Sequence, residues 1–369
     1  MIAVVHAYSR VNAGDGLLVD LTLQRLARAG VNADECVVVA MDPASFDDLP
    51  HVVKLGTAGR SLDRETAFAA ARGLAVAGSG KRLALGAAAR MLAAADGYVA
   101  VGGGYLRAGN RINAVGTAVN HLPQLLAVAR SKRPSVYLPQ SIGPLDGPVG
   151  RAVRATLRRV GQVHVRDDRS VEALRGAPNV RRTPDLAVLD VADQLAASQA
   201  RDASGRPIVI ARALRDAGEY ADRLHSLARL LGDVAWGVQA EGSAPKSDRT
   251  FYDALAVTPD GRVTDLLADS PGPVISVRLH GALQAIMAGV PAIHLGYERK
   301  SWGAYKDLGL STWVHSARRF DPGTVAEQVR GLRADPEPFW TAIHARSKYL
   351  QDESSALDEQ LTAALKDVG

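Results

Sequence analysis

Short apolar runs rich in β-branched residues alternate with amphipathic segments along this chain, in two successive blocks. In the first block strands are expected at 2–7, 36–41, 97–101, 135–138 and 162–166. Helices are expected from about Asp15 to Ala29, over 63–95, 117–131 and 148–159, and from about Ser170 to Arg175. The alternation stops at the polar interval Ala196–Arg206. It resumes with strands at 207–211, 233–238, 273–277 and 291–294, and with helical patterns over 219–231, 247–267, 281–288 and 323–367, the last broken at Pro336 and Pro338. Runs this short between helices predict a parallel sheet covered on both faces. Two blocks predict an α/β protein of two Rossmann-like doubly wound domains, at 1–195 and 206–345, with a ligand cleft between them. A final helix over 346–369 is free to pack back on the first domain. A length of 369 residues likewise asks for more than one core.

Charge and cysteine usage narrow the function classes. The net charge of +5 is spread through the helices, and no Lys/Arg run is interleaved with aromatics, so nucleic acid is not an expected partner. The excess of arginine suits anionic small molecules or an anionic membrane surface. Cys36 is the single cysteine, which rules out an intramolecular disulfide and a thiolate metal site. Within Cys36-Val37-Val38-Val39-Ala40 it reads as a buried structural thiol. No His/Glu cluster has metal-ligand spacing, and no metal is expected. The chain opens directly on a strand, without a signal-peptide pattern, and no apolar stretch reaches a membrane span. The expected location is the cytoplasm, or the inner face of a membrane by peripheral association.

The chemistry-bearing residues fall at strand ends, where open α/β sheets bind ligands. Arg278, Leu279, His280 and Gly281 join a buried strand to a small-residue helix. That turn sets a permanent cation and an imidazole beside a helix N-terminus, a favourable place for an anion. Asn12-Ala13-Gly14-Asp15-Gly16 joins the first strand to the first helix; Asp15 either caps that helix or meets a ligand. Val19 stands where a dinucleotide fingerprint needs its third glycine. Gly102, Gly103 and Gly104 end another strand, near Arg107 and Asn110, and suggest a close approach to a phosphate or sugar. Gln140 and Ser141 follow a fourth strand. Pro139 occupies the glycine position of a nucleophile elbow, so Ser141 reads as a hydrogen-bonding residue. Arg166 and Asp167 lie at a further strand end, Asp167 is equally an N-cap, and Pro184-Asp185-Leu186 resembles another strand-end turn with a carboxylate. Arg212 leaves the first strand of the second block. His164 and His294 lie in apolar strands and read as core. Gly78-Ser79-Gly80-Lys81 lacks the Walker spacing and reads as a break between helices.

Taken together, N-A-G-D (12–15), V-G-G-G-Y (101–105), P-Q-S-I-G-P (139–144), V-R-D-D-R-S (165–170), P-D-L-A (184–187), S-V-R-L-H-G (276–281), A-G-V-P-A-I (288–293) and Y-E-R-K (297–300) resemble the polysaccharide pyruvyl transferase family. P-Q-S-I-G-P with R-L-H-G is the specific combination, and His6-Ala7-Tyr8 departs from the family's glycine-containing start. The resemblance implies a GT-B-like pair of Rossmann-type domains. It also implies transfer of a pyruvyl group from phosphoenolpyruvate onto two hydroxyls of a cell-surface polysaccharide or glycolipid sugar. The product would be a cyclic ketal, with release of phosphate and no cofactor beyond the donor. The acceptor would be a nucleotide- or lipid-linked saccharide, and assembly as a homo-oligomer stays open. On this reading Arg278, Arg212 and Lys300 bind the donor's anionic groups, with backbone donors at Leu279 and Gly281. His280 is the general acid, and the base comes from Asp15, Asp167 or Asp185. Gly103, Gly104, Gln140, Ser141 and Arg166 line the site. Competing readings are a GT-B glycosyltransferase using a nucleotide-sugar and a non-catalytic relative in polysaccharide assembly.

Overall fold

The computed structural model describes residues 1–54, 87–195, 201–215, 218–240, 247–269 and 271–366. The Gly78–Lys81 break, most of the helical region expected over 63–95, and part of the expected linker lie outside the described residues. The chain divides into two units: Met1–Arg10, Leu18–Leu186 and the segment from Ala356 on; and Val11–Leu17 with Ala187–Ser355.

The first unit is built on a parallel sheet of seven strands, ordered β3-β2-β1-β4-β5-β6-β7. These are β1 (Ile2–Ala7), β2 (Cys36–Ala40), β3 (Val52–Lys54), β4 (Gly97–Ala100), β5 (Ser135–Gln140), β6 (Gln162–Val165) and β7 (Val180–Arg182). The central strands β1, β2, β4 and β5 are buried at every residue, as expected of strands with a layer on each face. Ala3, Val5, Val37, Val39, Tyr98, Tyr137, Val163 and Val165 alternate along these strands and join one core cluster, the two-residue period of a sheet face. Cys36 is part of this interior, and burial pushes its thiol up to about 11. From Ala356 on, the last helix belongs to this unit: the buried Arg25 donates to Asp358 at 2.6 Å.

The second unit has a parallel sheet of six strands, ordered β10-β9-β8-β11-β12-β13. They are β8 (Arg206–Ile210), β9 (Ala235–Val238), β10 (Gly261–Arg262), β11 (Pro271–Ser276), β12 (Ala292–Gly296) and β13 (Val314–Ser316). Both orders reverse direction about their first strand, between β1 and β4 and between β8 and β11. Those are the topological switch points where such sheets open a crevice.

Several expected elements differ. β3, β7, β10 and β13 were not expected, and each is the edge of its sheet. The 247–267 helical region is two helices, Asp248–Ala254 and Val263–Ala268, separated by β10. The terminal pattern is two helices, Pro322–Ala334 and Glu337–Leu365. Pro336 marks the break between them, but Pro338 sits in the first turn of the second helix, where its missing N–H costs nothing. The first helix begins at Ala13, so Asp15 lies inside its first turn and is not the residue preceding it.

Candidate active site

At the carboxyl edge of the second sheet, β8 and β11 pair in register, Ile210 opposite Ser276. Arg212 and Arg278 therefore leave adjacent strands at the same level. After β11 the chain makes a tight hook: the Ser276 hydroxyl donates to the Arg278 carbonyl at 2.7 Å and accepts from the Arg278 N–H at 3.1 Å. The helix Leu279–Met287 starts there with no side-chain cap, and the N-terminal end of a helix favours an anion. Small residues are required around it. A Cβ on Gly281 would come within 2.4 Å of Gln239 Oε1, and one on Gly14 within 2.4 Å of His280 Nδ1. The half-buried His280 ring thus lies directly against the backbone of the Asn12–Asp15 turn, all within this unit. That turn is itself tied: Asp15 N–H donates to the Asn12 carbonyl at 3.0 Å, and Asn12 Nδ2 to Asp15 Oδ2 at 2.7 Å.

The cations here are not equivalent. Arg278 is buried, and its Nε and Nη2 are engaged by both oxygens of Asp248, which is fully buried and also accepts from the Gln239 and Ala240 N–H groups. Only Nη1 is left unused by Asp248. The turn thus carries less net positive charge than R-L-H-G suggests, because Asp248, thirty residues earlier, offsets it. Arg212 has no carboxylate partner among the described residues. Its Nη1 donates to the Tyr297 hydroxyl at 3.1 Å, and its guanidinium lies 5.6 Å from that ring's centroid. Lys300 pairs with Glu298 at 2.9 Å. His294 is fully buried; its Nδ1 meets the Ser276 carbonyl at 2.7 Å, and burial brings the ring down to about 4.

The first unit's edge is organised around closed networks. Gly103 bridges Gln140, and the Ser141 N–H donates to the Gly103 carbonyl at 2.7 Å. A Cβ on Gly102 would reach 2.8 Å from the Pro139 carbonyl, so the glycine loop packs on the neighbouring strand end. The close approach inferred from the glycines is therefore made, at least in part, by the chain itself. Ser141 donates to Asp167 at 2.6 Å and accepts from Arg166 Nε at 3.0 Å. Arg166 is buried in an ion pair with Asp185. Asp167 also accepts from the Ser170 N–H at 2.9 Å, which makes it the N-cap of Asp168–Ala173. Hence Arg166, Asp167, Asp185, Gln140, Ser141 and Gly103 do come together, largely as partners of one another.

A neighbouring cluster was not foreseen. His6, at the end of β1, holds a left-handed φ of 68°. Its Nε2 meets the Tyr137 hydroxyl at 3.1 Å and its Nδ1 meets His121 Nδ1 at 3.3 Å. Tyr105 stacks against both rings, with centroids at 4.6 and 4.8 Å. His121 arrives there on a π-turn, Thr117–His121, a wide turn that often marks functional positions. Burial, with His121 beside it, holds His6 well below the usual imidazole range, and burial brings His121 to about 4. The only sequence signal was His6 itself, an imidazole at the end of an apolar strand. His164 is core, as expected, bonded to Thr183 at 2.9 Å.

Two Rossmann-like units with ligand-type strand ends define the class: a two-domain fold of the GT-B type. Solved structures with that fold include HepE of Anabaena in complex with UDP and glucose (13% identity, TM-score 0.54, covering 99% of this chain and 98% of that one). Another is the UDP-GlcNAc 2-epimerase of Methanocaldococcus jannaschii (9% identity, TM-score 0.51, covering 90% and 92%). The family model for polysaccharide pyruvyl transferase matches residues 12–240, and the chain belongs to that family. The amylovoran biosynthesis protein AmsJ of Erwinia amylovora is 30% identical over 96 residues; that similarity spans 26% of this chain and 22% of the length of AmsJ. Among the described residues no helix is long and apolar enough to cross a membrane.

Proposed function

We propose that this protein transfers the pyruvyl group of phosphoenolpyruvate to two hydroxyls of a sugar destined for a cell-surface polysaccharide or glycolipid, forming a cyclic ketal and releasing phosphate. The observation that carries this reading is the uncapped N-terminus of Leu279–Met287, with His280 on it and Arg212 on the adjoining strand end without a carboxylate partner among the described residues. Phosphoenolpyruvate brings a phosphate and a carboxylate, and needs such residual positive character. Arg212 and the helix N-terminus supply it. Arg278, held by Asp248, offers the remaining Nη1, and Lys300, paired with Glu298, adds little net charge.

Ketal formation requires a proton at the methylene carbon of the enol while a sugar hydroxyl attacks the neighbouring carbon. The second hydroxyl then displaces phosphate. His280 is the general acid, since an imidazole titrates near working pH. The base is best supported at Asp15. Asp167 is engaged by Ser141 and Ser170, and Asp185 by Arg166. Asp15, which accepts from Asn12, sits on the turn against which the His280 ring rests. The protein would act at the cytoplasmic side, on a nucleotide- or lipid-linked saccharide.

Thermal unfolding with phosphoenolpyruvate, against a panel of nucleotide-sugars, tests the reading. At a hundredfold its dissociation constant a specific ligand adds about 2.7 kcal/mol to the folded state. Stabilisation by phosphoenolpyruvate that disappears in Arg212→Ala supports the pyruvyl donor. Stabilisation by a nucleotide-sugar alone, with phosphoenolpyruvate inert, replaces it with a glycosyl-transfer reading.

A further inference from the structure

The carboxyl edge of the second unit also carries an aromatic plane that donor chemistry does not use. Trp340 and Trp236 are core residues, 2% and 7% exposed, and Trp313 packs edge-on against Phe339, whereas Trp302 is 39% exposed. Trp302 stands in the first turn of the helix Arg299–Asp307, which follows β12. Its ring is braced against the strand end: a Cβ on Gly296 would lie 3.0 Å from its Cζ3 and 3.1 Å from its Cη2. Ser301 is equally close to that position, at 2.9 Å, so the first turn of the helix is seated on the glycine and the indole is held in place.

Glu298 is the extended residue just before this helix, four positions ahead of Trp302. Lys300 bonds Glu298 across the same turn, and Tyr297, next in sequence, holds Arg212. A fixed apolar plane therefore follows directly in the chain on an ion-paired carboxylate and ammonium group, and on the tyrosine that holds the cation assigned to the donor. A single exposed aromatic needs no explanation. A braced one, carried on the same turn as one hydrogen-bond acceptor and one donor at the carboxyl edge of the sheet, matches a particular shape. A pyranose has a C–H face that lies on an indole and a rim of hydroxyls that both donate and accept.

We propose that Trp302 is the stacking platform for the acceptor's pyranose ring, with Glu298 accepting from its hydroxyls and Lys300 donating to them. The proposal rests on the pyruvyl-transfer reading of this same edge. Intrinsic tryptophan fluorescence tests it on the full chain, with methyl β-galactopyranoside, methyl β-glucopyranoside, UDP-galactose, UDP-glucose and UMP as probes. The expected result is a saturable change in emission with at least one pyranose-bearing probe and none with UMP. Trp302→Phe should lose the spectral change but keep binding by calorimetry, and Trp302→Ala should weaken binding at least about tenfold. Circular dichroism and the unfolding midpoint confirm that both variants fold. An equal response to UMP and the UDP-sugars, with free glycosides inert, would assign the plane to a nucleobase and overturn the proposal. So would unchanged affinity in Trp302→Ala, or no emission change with any probe. Stabilisation by phosphoenolpyruvate, measured separately in Trp302→Ala, tells failure of this subsite from failure of the donor assignment. If the donor reading is right, that stabilisation persists whether or not the sugar binds.

Discussion

Arg166 and Arg212 both leave strand ends of parallel sheets, yet their surroundings differ completely. Arg166 is buried, bonded to Asp185 and Ser141, in a network whose other members are Asp167 and Ser170. Arg212 is half-buried, and its guanidinium donates to the Tyr297 hydroxyl with no carboxylate partner among the described residues. The same contrast holds for helix starts. Asp168–Ala173 is capped by Asp167, whereas Leu279–Met287 has no side-chain cap. A network whose one guanidinium already faces two carboxylates has no cation to spare, and suits uncharged hydroxyls. A cation without a carboxylate partner, beside a helix start without a side-chain cap, suits an anion. The comparison teaches that position at a strand end marks a site, while the partners decide which ligand that site can hold.

The sharpest test concerns His280. His280→Asn should lower turnover by about 10²–10⁴ with phosphoenolpyruvate stabilisation retained; unchanged turnover in a steady-state assay of phosphate release would remove the assignment. Next in size is Arg166→Ala, which leaves Asp185 buried without its cation and should cost about 3–5 kcal/mol, read from a urea midpoint. If that midpoint hardly moves, the network at the first edge is not closed and the contrast fails. Gly14→Ala forces a methyl into the His280 ring. Turnover should drop about a hundredfold with the fold intact, since ångström-scale misplacement of a catalytic group has effects of that order. A crystal structure showing His280 unmoved would count against it.

The acid response separates the units themselves. His121 and His164 in the first unit, and His294 in the second, are held down to about 4 by burial, and His6 in the first is also held well below the usual imidazole range. A ring whose folded pKa is depressed is protonated first in the unfolded chain. Its contribution is therefore complete above about pH 6.5 and is lost as the pH falls towards 4. By pH 5 His121, His164 and His294 should each remove about 2 kcal/mol, and His6 acts in the same direction. Hydrogen exchange followed by peptide should show the first unit loosening before the second; the reverse order would place the burial wrongly. The smallest expected change is in Arg212→Ala, which should shift stability by less than about 1 kcal/mol while abolishing the response to phosphoenolpyruvate. A large loss of stability would mean that Arg212 is structural, like Arg166.

The alternation of the sequence carried the architecture as far as strands were buried on both faces. All nine strands expected from apolar runs are present, and the four that were not expected, β3, β7, β10 and β13, are the sheet edges. An edge strand is short, half-solvated and mixed in polarity, so it leaves no run to read. The site was legible to a similar depth. The turn of Arg278, His280 and Gly281 could be read as a candidate because a strand-turn-helix with small residues is a local pattern. Asp248, Tyr297 against Arg212, and the His6–Tyr105–His121 stack were not found as partners, since each pairing joins residues on different elements.

What the sequence determined by itself was therefore local: which segments are strands and helices, where glycines permit close approach, and which polar residues fall at strand ends. Backbone period and side-chain size set those properties within a few residues of each position. What only the tertiary structure decided was the charge state of the site. The sequence offers Arg166, Arg212 and Arg278 as equal cations. Folding sets Asp185 against the first and Asp248 against the third, and leaves the second facing Tyr297. Coulombic pairing depends on distance in space, and proximity across a sheet edge has no counterpart in sequence spacing.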